Sequence, residues 1–370
     1  MALDLRLTQA LAFRLHRQCL ASPAPDVVTA ATRLLGAQAQ VHSAAVLQLR
    51  ARCRTVSAAA IAAALQDRRD LVKIWAQRST LHLVATADLP MVLALVRRFV
   101  HRYHRHFANH GLSHDQITQL AAAIGEAVAE RPMSRADLAD RLTPRLGQWA
   151  RPWLESSWGG AVKLAALMGL LCHGPDRSRE TTFVGLDGWV APPPATVDRD
   201  HLGLLARRYL GAYGPATPRD LAKFTGLDAA AARGAFERIV TDLMPVSVAG
   251  ARAWALAADE RDLRGAEMPA GAINVLPHFD PYLLAHADTG QVVPPRHRKR
   301  IYRIAGWISP VVLREGRVVA VWSQRRAGTR WTVTVEPLAR LGKRPLRRAE
   351  RGLRALAGAV GVTDIEFVES

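Results

Sequence analysis

Two glutamines separated by one alanine, Gln38 and Gln40 in the stretch LLGAQAQVHSAA at residues 34–45, carry the least expected chemistry for their setting. They follow an apolar run, where two strongly hydrogen-bonding side chains that cannot titrate call for a reason. Each carboxamide offers one carbonyl acceptor and two N–H donors. A pair two positions apart can therefore hold one water molecule by its proton and by its lone pair. Neither can take up a proton as a general base of useful pKa. The plainer alternative is that both amides satisfy backbone groups where a helix ends.

Two further groups have suggestive spacing. In KIWAQRSTLHLVATAD, residues 73–88, the alternation predicts a strand with Arg78, Thr80 and His82 on one face. In RRFVHRYHRHFANHGLSH, residues 97–114, lie His101, His104, His106, His110 and His114, five of the 13 histidines. His106, His110 and His114 are spaced four apart, which suits a metal on a helix. No carboxylate or cysteine lies among them and arginines are interleaved, so the favoured reading is a solvated or phosphate-facing basic helix.

The elements that must position these residues follow from local signals. Residues 4–20 and 26–38 read as helices separated by ASPAPD, whose prolines break the first and whose Asp26 can cap the second. Gln38 and Gln40 then fall at the end of that second helix or just past it. An alanine-rich helix is predicted over 57–65. Further on, PMSRADLADRL at 132–142 and PATPRDLAKFTGL at 215–227 share a hydroxyl residue, Ser134 or Thr217, three positions before Asp137 or Asp220. This is capping-box spacing, with aspartate in place of the usual glutamate. A second helix follows each (157–171 and 228–240) and then a hairpin pattern (172–186 and 243–256). Helix, turn, helix and β-ribbon describe a winged helix-turn-helix, repeated in tandem. The alternative is an unrelated helical array.

After Pro269 the pattern turns to strands: GAINVLPHFDPYLLAHAD at 271–288, the basic loop PPRHRKR at 294–300, and an antiparallel meander over 307–338. Turns are predicted at Glu315-Gly316 and Ala327-Gly328. Arg325, Arg326 and Arg330 flank the second, giving a β-ribbon of the shape and charge to enter a DNA groove; a basic edge hairpin that deters aggregation reads equally well. Asp280 either reaches a binding channel or simply forms an Asp-Pro turn. A helix over 346–360 and a short strand close the chain.

Composition limits the possible partners. The 370 residues are too many for one ordinary core, and 49% apolar content can fill two to four. With 50 basic against 32 acidic side chains, the net charge is +18, which points to a polyanionic partner, nucleic acid first. Cys19, Cys53 and Cys172 are too dispersed for a disulfide framework or a zinc module, and a reducing cytoplasm fits them. Charges interrupt the N-terminal apolar residues, and no uncharged run reaches the ~18 residues of a membrane span. The expectation is a cytoplasmic protein with no membrane association.

The LLGAQAQ stretch, RSTLHLV, the tandem winged-helix pattern and the tail from LPHFDPYLL to GWISPVVLREGRVVAVW together resemble the AlkZ/YcaQ family of bacterial DNA glycosylases, nearly end to end. The resemblance implies an α+β fold of three tandem winged-helix units forming a C-shaped scaffold, with a β-rich C-terminal region. On this chain the units map to residues 1–130, carrying the glutamine motif, 131–196 and 197–258, followed by 259–370 with the basic hairpin. It also implies a monofunctional glycosylase acting as a monomer on double-stranded DNA that carries N7-alkylated guanine, including guanine tied into interstrand crosslinks by natural-product alkylators. Gln38 and Gln40 would be catalytic and match the glutamine-x-glutamine branch, which includes self-resistance enzymes. Arg78, Thr80, His82, Arg177, Arg179, Asp280, Arg325, Arg326 and Arg330 become candidate DNA contacts. No cofactor or metal is implied. The rival reading is a non-catalytic winged-helix regulator or a damage-binding protein, since winged helices serve many functions.

Overall fold

The computed structural model describes residues 2–157, 160–178, 180–191, 200–338 and 340–368. The chain is a mixed helix and strand protein built as two compact units, one formed by Met1–Ala62 and Leu202–Ser370, the other by Ala63–His201. Among the described residues no helix is long and apolar enough to cross a membrane.

The first unit is organised by a five-stranded sheet. Its strands run Asp364–Val368, Arg330–Pro337, Arg317–Ala327, Val311–Arg314, Ile273–Leu276 across the sheet. The first four neighbours in sequence form an antiparallel meander. The last strand pairs in parallel with Arg330–Pro337, which a tight turn cannot achieve, and helix Lys343–Ala359 supplies the crossover. Alternation along the strands gives the sheet two apolar faces. Val275, Val312, Ala320, Trp322 and Val333 pack with Leu353 and Leu356 of the crossover helix and with Leu47. Leu276, Val311, Leu313 and Val318 pack with Leu11 and Leu15 of helix Leu7–Arg17 and with Phe279, Ile301 and Ile308. The Glu315-Gly316 turn forms as predicted, both residues at positive φ (51° and 78°), the geometry of a twist-matched two-residue hairpin.

Three times along the chain the same order of elements occurs. Helix Val27–Leu34, the two-residue strand Ala37–Gln38, helices His42–Arg50 and Ala58–Gln66, and strands Leu71–Trp75 and Leu81–Ala85 give it first. Helix His114–Glu130, a bridge at Met133, helices Arg135–Leu146 and Ala161–Leu167, and strands Leu171–His173 and Phe183–Gly185 give it again. Helix His201–Tyr213, a bridge at Ala216, helices Pro218–Thr225 and Ala229–Glu237, and strands Leu243–Val248 and Ala251–Leu256 give it a third time. In the second and third copies both capping boxes form: Asp137 N–H donates to Ser134 Oγ at 3.2 Å and Ser134 N–H to Asp137 at 2.8 Å, with Thr217 and Asp220 doing the same at 3.3 and 2.8 Å.

The second unit has its own ring cluster, in which Trp75, His173 and Phe183 lie with centroids 5.0–6.4 Å apart. Two predicted elements of this unit are interrupted. The strand expected over 73–88 is a hairpin, broken by a turn at Gln77–Ser79 in which Arg78 and Ser79 both take positive φ. The histidine-rich helix stops at Asn109, because Gly111 at φ 89° ends it and Ser113 caps the next helix. His110 and His114 are therefore not neighbours on one helix face, and among the described residues no group of three or more metal-ligating side chains gathers.

Asp280 is the clearest correction to the sequence reading. It is completely buried, and its two carboxylate oxygens each accept a 2.8 Å hydrogen bond from the equally buried guanidinium of Arg52. Asp280 also caps the short helix Pro281–Leu284 by accepting from Tyr282 N–H. A carboxylate sealed in this way does not meet DNA. Removing one partner of such a pair leaves an uncompensated interior charge, at a cost of about 3–5 kcal/mol. Arg52→Met should accordingly lower the urea unfolding free energy by about that much, whereas Arg52→Met with Asp280→Leu should recover most of the loss, because an apolar pair leaves no buried charge.

Candidate functional site

Helix Val27–Leu34, capped by Asp26, ends earlier than its apolar run suggests. Leu35 (φ 56°) and Gly36 (φ 107°) both turn left-handed, so the chain leaves the helix and is extended by Ala37–Gln38. The glutamine motif thus lies just past the helix, on extended backbone. Ala39 is 1% exposed and sits in the core. Gln40 is exposed, whereas Gln38 is only 6% exposed.

What fixes the main chain here is a third glutamine. Gln48, fully buried on the following helix, accepts from Gln38 N–H at 2.9 Å and donates to Gln38 C=O at 3.0 Å. Its second amide hydrogen goes to the carbonyl of His278 at 3.1 Å. The main-chain carbonyl of Gln48 in turn accepts from Arg52 at 3.1 Å, and Arg52 holds Asp280. Burial works against the Arg52 guanidinium, yet the charge and hydrogen bonds of Asp280 outweigh it and keep Arg52 protonated. A continuous buried chain, Gln38–Gln48–Arg52–Asp280, therefore ties the motif to the segment HFDPYLL. Neither Gln48 nor Arg52 was singled out from the sequence. A glutamine and an arginine four apart where an apolar helix ends were the available signal.

His278 belongs to the same cluster. Its Nδ1 lies 2.9 Å from the Ile308 carbonyl, so Nδ1 must carry the proton and Nε2 the lone pair. Burial and the nearby Arg303 charge lower its pKa against that hydrogen bond, which favours the neutral ring. Trp307 packs on His278 and Phe279 with ring centroids at 5.5 and 5.1 Å.

The basic hairpin belongs to the same unit. Arg325 and Arg326 are exposed near its tip, and adjacent strand residues point to opposite faces, so both faces of the ribbon are positive. Arg326 Nε donates to Gly328 C=O and Arg330 Nε to Asp364, so Arg330 has a local acidic partner. Helix Lys343–Ala359 adds a basic surface that sequence reading passed over: Arg344, Arg347 and Arg351 are exposed along it, and Arg348 donates to the backbone of Gly271.

The remaining candidates lie in the second unit. Arg78 sits in the Gln77–Ser79 turn, Thr80 just after it, and His82 inside strand Leu81–Ala85, so the three do not share a strand face. Arg177 pairs with Asp137 at 2.5 Å and Glu180 at 3.1 Å and braces a capping aspartate. Arg179 lies outside the described residues. His82 is buried, with Nδ1 2.8 Å from Thr80 C=O.

A family model for AlkZ-like DNA glycosylases matches residues 31–361. The chain belongs to that family. It is 30% identical over 368 residues to an interstrand DNA cross-link repair glycosylase of Streptomyces sahachiroi, covering 96% of each chain. It also superposes on the solved structure of S. sahachiroi DNA glycosylase AlkZ with a TM-score of 0.87 at 28% identity, covering all of both chains. The protein is thus a DNA glycosylase whose substrate is DNA, and the reading as a non-catalytic regulator is set aside.

Burial, then the positive Arg78, push the His82 pKa down to about 3 from the ordinary 6.5. The unfolded chain binds a proton below pH 6.5 that the folded chain refuses, so this stabilising contribution is full above that pH and is lost as the pH falls towards 3. Relative to His82→Asn, the native protein should lose up to about 1.4 kcal/mol per pH unit more in that window, as read by denaturant titration at a series of pH values.

Proposed function

We propose that the chain hydrolyses the N-glycosidic bond of N7-alkylated guanine in duplex DNA, as a monofunctional enzyme and a monomer, with Gln38 and Gln40 orienting the attacking water. The observation that carries this reading is the buried Gln48 clamp, which fixes the main chain at Gln38 on both its N–H and its C=O. Alkylation at N7 leaves the guanine cationic and already a good leaving group. The remaining task is to aim water at C1′ of an oxocarbenium-like sugar, and positioning by fixed dipoles suffices for that. The neighbouring carboxylate cannot act as a base, because Arg52 occupies both oxygens of Asp280. No lysine lies in the motif to form a Schiff base, consistent with hydrolysis that leaves an abasic site.

The thrice-repeated order of elements supports three winged-helix units over 1–130, 131–196 and 197–258, with 259–370 as the β-rich region. The relative named for interstrand crosslink repair supports crosslinked or bulky N7 adducts as substrates, made by a natural-product alkylator. A guanine tied to the opposite strand cannot swing out by about 180° as in ordinary base flipping. Attack on a base still in the stack, reached from a groove, is the consistent route, and the double-faced arginine hairpin supplies the groove anchor.

Two measurements test these assignments. Gln38→Ala and Gln40→Ala should each slow single-turnover release of N7-methylguanine by about tenfold to a hundredfold, approaching the loss typical of one positioning donor, with duplex affinity retained; full activity in both variants removes the claim. Arg325→Ala with Arg326→Ala should weaken duplex binding and reduce the slope of log K against log salt by about 2, and an unchanged slope would place the hairpin away from DNA.

A further inference from the structure

We propose that Ile304 is an apolar wedge that inserts between base pairs of the bound duplex. It is 92% exposed, more than any other large apolar side chain among the described residues. An isolated exposed apolar residue is ordinary on a protein surface; the construction beneath this one is not. Ile304 opens a tight loop whose next two residues, Ala305 (φ 56°) and Gly306 (φ 76°), both turn left-handed. The loop is closed by Arg303 N–H to Trp307 C=O at 2.8 Å and by Trp307 N–H to Ile304 C=O at 3.3 Å.

Both arms of the loop are fastened to the core. Tyr302 bridges Ile308 and donates its hydroxyl to Leu283 C=O at 2.7 Å, and Ser309 N–H donates to Ile301 C=O at 2.9 Å. Trp307 rests on Phe279 and His278, and the His278 carbonyl is held by Gln48, the residue that clamps Gln38. The tip is therefore carried on the same buried framework as the candidate catalytic residues. A side chain that must push into a base stack needs such a support.

Charge identifies the occupant. Residues 294–307, PPRHRKRIYRIAGW, contain Arg296, Arg298, Lys299, Arg300 and Arg303 and no acid. Arg300 pairs with Glu336, while Arg296, Arg298, Lys299 and Arg303 are exposed along the segment that leads into the tip. Cations that grip phosphates around an aliphatic point are the arrangement by which proteins unstack and kink duplex DNA. For an enzyme that must reach a guanine without swinging it out, opening a neighbouring base step widens the approach to the sugar while the guanine stays in the helix. The inference rests on the DNA glycosylase reading and deepens it.

The test uses an undamaged duplex carrying 2-aminopurine, so that it does not depend on catalysis. The wild-type protein should raise 2-aminopurine fluorescence on binding. Ile304→Ala should abolish most of that rise and weaken binding by about tenfold, within what a buried aliphatic side chain contributes, with the salt slope unchanged because no cation is lost. Ile304→Phe, which keeps an apolar tip, should preserve the signal. Equal fluorescence and affinity for wild type and Ile304→Ala would overturn the wedge, as would a loss confined to binding of anionic phosphatidylserine vesicles. Release of N7-methylguanine is measured in parallel. Release by the wild type with no Ile304 dependence of the fluorescence sinks the wedge alone, whereas unstacking that depends on Ile304 without any release upholds the wedge and sinks the proposed substrate.

Discussion

The ion pair between Arg52 and Asp280 is the constraint on which the candidate site depends. Both side chains are fully buried, and two charges taken from water cost several kcal/mol each unless their hydrogen bonds are nearly complete. Here two parallel 2.8 Å bonds join guanidinium and carboxylate, the Gln48 carbonyl takes another Arg52 hydrogen, and the Tyr282 amide gives Asp280 a further donor. An apolar pair of equal volume could stabilise the fold as well. It could not join the Gln48 main-chain carbonyl to the segment that carries Asp280 and His278, and the Gln48 side chain holds the main chain of both Gln38 and His278.

The chemistry follows from that economy of charge. The only carboxylate tied to the motif by the buried chain is neutralised and sealed, and the residues at the motif itself are uncharged. Such a centre is poor at moving protons and good at holding geometry. It suits a substrate whose leaving group carries its own positive charge, and it is ill matched to an undamaged base, which would need protonation before it could leave.

Much of the frame was legible in the sequence because local signals agreed. The Ser134–Asp137 and Thr217–Asp220 capping boxes, the Glu315-Gly316 turn, the three-stranded meander and the closing helix each formed where their residues indicated. Misreadings arose where a backbone reversal has no strong signature. Leu35 turns left-handed without being glycine and ends a helix early, and the Arg78–Ser79 turn divides what looked like one strand. Asp280 was ambiguous for a different reason: its role depends on Arg52, 228 residues away in sequence, and no local pattern reports so distant a partner. The arginines of helix Lys343–Ala359 were present in the sequence but not read as a surface, since only the structure shows that the opposite side of that helix is committed to the sheet.

Position 38 is gripped through its peptide group, by contacts that do not depend on which side chain the residue carries. Another uncharged polar residue could occupy position 38 while its peptide contacts to Gln48 stayed in register. Anchor and side chain are thereby separate commitments of one residue, and the second can change without the first being rebuilt.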